Sequence, residues 1–433
     1  MKKRLFAVFA ITLLCTTLAY AQDTPKVQRI TLQEALEHCR QHNRMLQNAS
    51  LEVRKNEAAR WEAIASMLPQ VHTSFDYSNF LGYEMHFSRG ISIPMNPSGT
   101  FAIRASLTLT AQQIMGAIMQ DLAVDMANVN AKKDEQTLLA STQYTYISLL
   151  TIQETITLLR QNLSNIQNLQ NISVRAVELG VSEATESDKI AVQAASMQST
   201  INQLERSEEM LYNSLSLLLG AGIDTRYEPS QTLNELLDAD NALELLHTDL
   251  DLNKNYDYQL LTHSLKLAKQ QVTLAALAYA PTVSAYYQYS AKTYFGKDEG
   301  MNMTPPNMVG FTVSMPLFTS GQKGAAIQKN KLALMANENT MADTRDNLLM
   351  QDRQLRYNLS SAYENYQIQH SNVNVSKRVF QNMSEKYKQG YASSLEVTNA
   401  SIELITAQNN YIKAVLEMVK AQLELRKLLN KFN

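Results

Sequence analysis

The scarcity of helix breakers constrains this chain more than any other feature. Between Gly99 and Pro229 there is no proline, and from Ala117 to Leu219 the only glycine is Gly180. Beyond Pro316 there is again no proline, and from Ala325 to Asn433 the only glycine is Gly390. Proline and glycine are the residues a helix tolerates least. Two very long helical stretches are therefore expected, each broken once. Gly180 and Gly390 are the expected tips, where one helix ends and the next starts. A continuous helix from Ala117 to Leu179 would reach about 95 Å at about 1.5 Å per residue. No compact domain needs that length, whereas a tube or a spanning rod does.

This plan occurs twice. Ser106 to Gly116 matches Ser314 to Gly324, and Leu179-Gly180 matches Gln389-Gly390. Leu218-Leu219-Gly220 matches Leu428-Leu429-Asn430, and Met67-Leu68-Pro69 matches Tyr279-Ala280-Pro281. The offset stays near 210 residues throughout, far longer than a solenoid repeat. The expected organisation is a signal peptide over 1–21, a first repeat over 22–229 and a second over 230–433. Heptad rows support the helices. Leu404, Tyr411, Met418 and Leu425 recur every seven residues, with Ile405, Ile412 and Val419 beside them.

The N-terminus reads as a secretory signal. Lys2, Lys3 and Arg4 precede an apolar run from Leu5 to Leu18, and Ala19-Tyr20-Ala21 is a small-residue cleavage site. Leu14 stands before Cys15 where a lipoprotein signal would carry a small residue, so no lipid anchor is expected. Cleavage would leave Cys39 as the sole cysteine, and an internal disulfide is not expected. The formal charge is −2, with no basic stripe of the kind that binds nucleic acid. No later run of 18 apolar residues offers a transmembrane helix. A β-barrel stays open.

Four short segments alternate with period two. Val71, Phe75 and Tyr77 oppose His72, Ser74 and Asp76. Phe101, Ile103, Ala105, Leu107 and Leu109 oppose Ala102, Arg104, Ser106, Thr108 and Thr110. Val283, Ala285, Tyr287 and Tyr289 oppose Ser284, Tyr286, Gln288 and Ser290; Val309, Phe311, Val313, Met315 and Leu317 oppose Gly310, Thr312, Ser314 and Pro316. Apolar-out, polar-in alternation marks a transmembrane barrel with a wet lumen. A half-buried soluble sheet alternates in the same way. Asn79–Ser98 and Lys292–Asn307 read as the loops between paired strands. On the membrane reading Phe101, Ile103, Phe311 and Val313 face lipid. Arg104 faces the lumen, where it could favour anions or pair with Asp76, and the pairing is preferred. Four strands cannot close a barrel, because lipid tolerates no open edge. That reading therefore needs several copies of the chain.

The whole pattern resembles the TolC family of outer-membrane efflux proteins. Ile30-Thr31-Leu32 with Glu34-Ala35-Leu36 is similar to the family's opening helix. Pro69 and Pro281 resemble its helix-to-strand prolines, and Pro316-Leu317-Phe318 with Gly321 its strand-to-helix return. Tyr387, Gly390, Leu395, Glu396, Val397 and Ala400 resemble its helix-tip motif. The resemblance implies a mainly α fold with a small β part. Duplicated long helical hairpins would form a periplasmic tunnel, and four strands per chain would join a shared trimeric twelve-stranded barrel. It also implies an exit duct that docks a periplasmic adaptor and an inner-membrane pump. The residues implied at the aperture are Glu396 and Asn399, the latter standing where the family carries an acid. Glu186 with Tyr387 is implied as a closing contact, although Ala392 replaces the arginine of that network. The exit duct of a type I secretion system and a periplasmic coiled-coil scaffold are the alternatives.

No catalytic constellation accompanies this plan. His38 and His42 stand four apart on an expected helix near Glu34 and Cys39, a spacing that can bind metal. Without an H-E-x-x-H they read as a solvated helix face. No P-loop, dinucleotide fingerprint or nucleophile elbow is present. No enzyme activity, cofactor or metal is expected.

Overall fold

A computed structural model describes residues 26–87, 90–222, 225–237, 244–295 and 305–432. The expected signal peptide and parts of both expected loops lie outside these residues.

The helices are as long as the missing breakers require. They are α1 (Leu32–His42), α2 (Arg44–Ala65), α3 (Ala111–Glu178), α4 (Ala184–Leu218), the short α5 (Leu233–Leu236), α6 (Tyr256–Leu277), α7 (Gln322–Lys388) and α8 (Ser394–Leu428). Helix α3 has 68 residues and α7 has 67, while α4 and α8 have 35 each and α2 and α6 have 22 each. The strands are β1 (Lys26–Ile30), β2 (Gln70–Ser78), β3 (Glu84–Phe87), β4 (Ile91–Pro94), β5 (Ser98–Leu109), β6 (Thr225–Pro229), β7 (Thr282–Tyr294) and β8 (Asn307–Ser314).

The chain forms two compact units that cut across the repeats. The first holds Met1–Asn48, Lys132–Asn255 and Asn347–Asn433; the second holds Ala49–Ala131 and Tyr256–Asp346. Each repeat contributes to both.

The first unit has its own core. In α3 the residues Ile156, Leu159, Leu163, Ile166 and Leu169 are buried at helical spacing. They pack with Ile190, Met197 and Ile201 of α4, Phe380 of α7, and Val397 and Leu404 of α8. A second cluster joins Tyr146, Leu149, Leu215, Val415 and Val419 to Cys39. Each such side chain contributes roughly 1.5–3 kcal/mol when fully buried. Parallel strands β1 and β6 lie in this unit, and the Tyr146 hydroxyl donates to the Ile30 carbonyl at 2.8 Å. Cys39 is a buried packing residue that accepts from the Thr142 hydroxyl at 3.4 Å. His38 and His42 stack on each other at 4.2 Å, and His38 bonds Leu219 O and the Tyr227 hydroxyl. Among the described residues no cluster suited to a metal ion is found.

Helix ends in this unit are closed by one device used four times. At Gly180, Gly220, Gly390 and Asn430 the backbone turns left-handed, with φ of 74°, 75°, 79° and 53°. The next residue's N–H then reaches back five positions: Val181 to Ala176, Ala221 to Ser216, Tyr391 to Lys386 and Lys431 to Arg426. This is the Schellman closure, which satisfies carbonyls the helix leaves open. The Asn43 amide donates to Leu218 O at 2.7 Å, and the Asn255 amide to Leu428 O at 3.3 Å. Gly220 packs on the His42 carbonyl so closely that a methyl group there would overlap it. Asn430, in the matching place, donates to the Lys254 carbonyl at 3.0 Å.

The second unit carries a four-stranded antiparallel sheet in the order β2-β5-β7-β8. Its helices bury Met115, Ala127, Val129 and Ala268 and also make polar contacts. Arg60 pairs with Asp121 at 3.0 Å, the Gln113 amide donates to Ser66 O at 3.0 Å, and the Lys323 ammonium donates to Ala278 O.

Two local expectations need correction. Strand β8 ends at Ser314 instead of running to Leu317. Pro316 has no N–H to offer a ladder, so the chain leaves the sheet before it. The segment Asn79–Ser98 is not wholly a loop. It folds β3 against β4, with Met85 opposite Ile93 and His86 opposite Ser92. The His86 ring and the Ser92 hydroxyl are 2.6 Å apart.

Candidate membrane face and helix tips

Antiparallel register fixes which side chains share a face, since directly opposed residues point the same way. Phe75 lies opposite Phe101, and Phe101 opposite Ala291. Ile103 lies opposite Tyr289, Ala285 opposite Phe311, and Val283 opposite Val313. The apolar sets of four separate strands therefore merge into one surface. Its residues are open within this chain: Val71 is 67% exposed, Phe75 69% and Phe311 68%. Phe101, Ile103 and Val313 are also exposed. Contiguous exposed apolar surface of this kind marks a face that something else must cover.

The opposite face holds every formal charge of the four strands: Asp76, Arg104 and Lys292. The expected Arg104–Asp76 pair does not form. Register sets Arg104 opposite His72 and Asp76 opposite Thr100, too far apart along the strand to meet. The Arg104 guanidinium lies instead over the Tyr286 ring, 4.2 Å from its centroid. Strands β2 and β8 are the sheet edges, and among the described residues neither has a partner on its outer side.

The two helix tips in the other unit differ. At the second, Ser393 is the N-cap of α8. Its hydroxyl accepts from the Glu396 N–H at 3.3 Å, and the Glu396 carboxylate accepts from the Ser393 N–H at 2.7 Å and hydroxyl at 2.9 Å. These bonds hold the exposed carboxyl below its ordinary range, the backbone bond contributing most. Glu396 and Asn399 share one exposed side of the first turn, while Val397 and Ala400 are buried. At the first tip Glu183 is the N-cap and gives no side-chain cap. Glu186 accepts from the Ser182 hydroxyl at 3.4 Å. Tyr387 is half-buried against the core of α3, α4 and α8. Among the described residues no hydrogen bond joins Glu186 to Tyr387.

Part of the chain matches a known family. Residues 248–431 match the profile of the family described as outer membrane efflux protein. The "Toluene efflux pump outer membrane protein TtgC" of Pseudomonas putida is 23% identical over 320 residues, 72% of this chain and 64% of that protein. The match thus spans less than two thirds of this curated relative. Solved structures share the fold. CusC superposes with a TM-score of 0.77 at 16% identity, over 92% of both chains. The CmeC outer membrane channel of Campylobacter jejuni gives 0.77 at 14% identity, over 92% of this chain and 85% of that one. The MtrE outer membrane channel of Neisseria gonorrhoeae, in its open state, gives 0.71 at 16%, over 92% and 88%. Over residues 248–431 the chain is thus similar to the outer membrane efflux protein family, and over most of its length it has the fold of these solved structures.

Proposed function

We propose that this protein is the outer-membrane subunit of a tripartite efflux pump, a passive exit duct without bond chemistry. The observation that carries this reading is the open four-stranded sheet. Among the described residues its apolar face is continuous and uncovered, all its strand charges lie on the other face, and both of its edges are unpaired. A lipid-facing barrel wall needs these three properties together. Three copies, each giving four strands, would close a twelve-stranded barrel through contacts between β8 of one chain and β2 of the next. The long helices would extend into the periplasm, and an adaptor and an inner-membrane pump would supply direction and energy. Several relatives are named as efflux pump components, which supports efflux over type I protein secretion.

The tip residues fit a gate. Glu396 and Asn399 would ring the aperture, where three carboxylates would draw cations into the constriction and hold them there. Glu186 and Tyr387 would lie near it as closing contacts.

The deciding experiment is conductance of the purified protein in a planar bilayer, for wild type and Glu396→Ala. Discrete small steps that open more often in the variant support both duct and gate. Steps identical in the two proteins keep the duct and remove Glu396 from the gate. A folded protein that gives no steps and washes off membranes in carbonate is a periplasmic scaffold instead.

A further inference from the structure

The polar face of the sheet contains an arrangement that neither the fold nor the efflux reading explains. Tyr286 of β7 lies directly opposite Gly310 of β8, and its ring covers that glycine. A methyl group at position 310 would overlap the ring, so only glycine lets Tyr286 lie flat along the sheet. The flat ring forms a platform. Arg104, from β5 on the other side of β7, places its guanidinium on that platform at 4.2 Å. Cation–π stacking of this kind holds a long side chain in place without neutralising its charge.

The surrounding charges leave Arg104 uncompensated. Asp76 and Lys292 lie at one level of the sheet, on either side of Thr100, and their opposite charges offset each other. Arg104 lies at the level of His72, Gln288 and Met308, with no acid among them. We propose that Arg104, fixed on Tyr286 over Gly310, is an anion-attracting selectivity site on the wall of the exit channel. It would favour passage of solutes carrying a carboxylate, sulfonate or phosphate over cationic ones. The proposal rests on the duct reading, in which the polar face lines the lumen and the copies repeat Arg104 around it. A guanidinium fixed against a low-dielectric wall attracts anions more strongly than a mobile one in water.

The test is the reversal potential of single channels in a potassium chloride gradient. Arg104→Gln is expected to shift the wild-type potential toward potassium. Arg104→Cys guards against misfolding and tests placement. Cys39 is buried and Cys15 lies in the expected signal peptide, so in the processed protein a charged methanethiosulfonate reagent reaches the new thiol alone. A cationic reagent should bring the potential back toward the wild-type value, and an anionic one should push it beyond that of Arg104→Gln. Tyr286→Leu keeps the charge but removes the platform, and should give a smaller shift in the same direction as Arg104→Gln. Normal steps with an unchanged reversal potential in Arg104→Gln overturn the selectivity site and leave the duct standing. A new thiol that stays unlabelled in conducting channels also overturns it, because the residue would not face the lumen. If wild type gives no steps, the duct reading and this inference fall together.

Discussion

The helical unit and the sheet unit treat apolar side chains in opposite ways. In the first, Leu149, Leu159, Ile166, Met197 and Leu215 are sealed by neighbouring helices of the same chain. In the second, Val71, Phe75, Val309 and Phe311 stand open on the sheet. Both follow a regular hydrophobic period, 3.6 in one and 2 in the other. Periodicity therefore tells which residues share a face, and not what covers that face. Counting the elements answers the second question. Long helices can enclose a core among themselves, but four strands cannot close on themselves.

The sharpest way to break this contrast is to remove bulk from each unit. Leu149→Ala should lose about 2–5 kcal/mol in denaturant unfolding, the usual cost of a truncated core leucine. Phe311→Ala should leave that unfolding of the single chain almost unchanged. Equal losses would mean that the sheet face is buried within the chain after all.

Charge sharpens it next. Phe311→Arg or Val313→Arg should reduce membrane insertion by about 2–4 kcal/mol, read as the fraction resisting carbonate extraction, while Thr312→Arg should be tolerated. If Thr312→Arg were the damaging variant, the two faces would be assigned the wrong way round.

The repeats provide a finer comparison. Gly220→Ala meets both a left-handed backbone and the His42 carbonyl, and should cost at least about 1–2 kcal/mol. Asn430→Gly keeps the left-handed turn and loses only side-chain bonds to Lys254 and from Gln136, so thermal unfolding should move less.

The smallest effect belongs to the tips. Ser393→Ala should loosen the first turn of α8 by about 1 kcal/mol, seen as faster amide exchange there, with no change in α4. Acid should act likewise. The Glu396 carboxyl is held below its ordinary value, so its contribution is present above that value and is lost as pH falls through the depressed one. The protection factor near Ser393, corrected for the intrinsic exchange rate, should therefore fall on acidification in wild type, and fall less in Ser393→Ala.

Much of this was legible in the sequence. The tips at Gly180 and Gly390 follow from composition alone, because a helix free of breakers stops only where a residue accepts positive φ. The Ser393-x-x-Glu396 spacing carries the capping signal, and the strand faces follow from alternation. The β3–β4 hairpin was hidden because four-residue strands are too short for a period to emerge. The place of Arg104 was hidden for a different reason. Sequence offers Asp76 as the obvious partner, but register, set jointly by three strands, places tyrosine there instead. Whether Glu186 and Tyr387 meet depends on the orientation of two helices, which no spacing within one helix specifies.

The unfinished edges of the sheet bear on how a defect would be inherited. On the shared-barrel reading, a variant such as Gly390→Pro, faulty at the tip but sound along β2 and β8, would still join its neighbours. It would spoil every assembly it entered and behave as dominant beside a normal copy. A variant unable to pair along β2 or β8 would be left out and would behave as recessive, although its own molecular damage is greater.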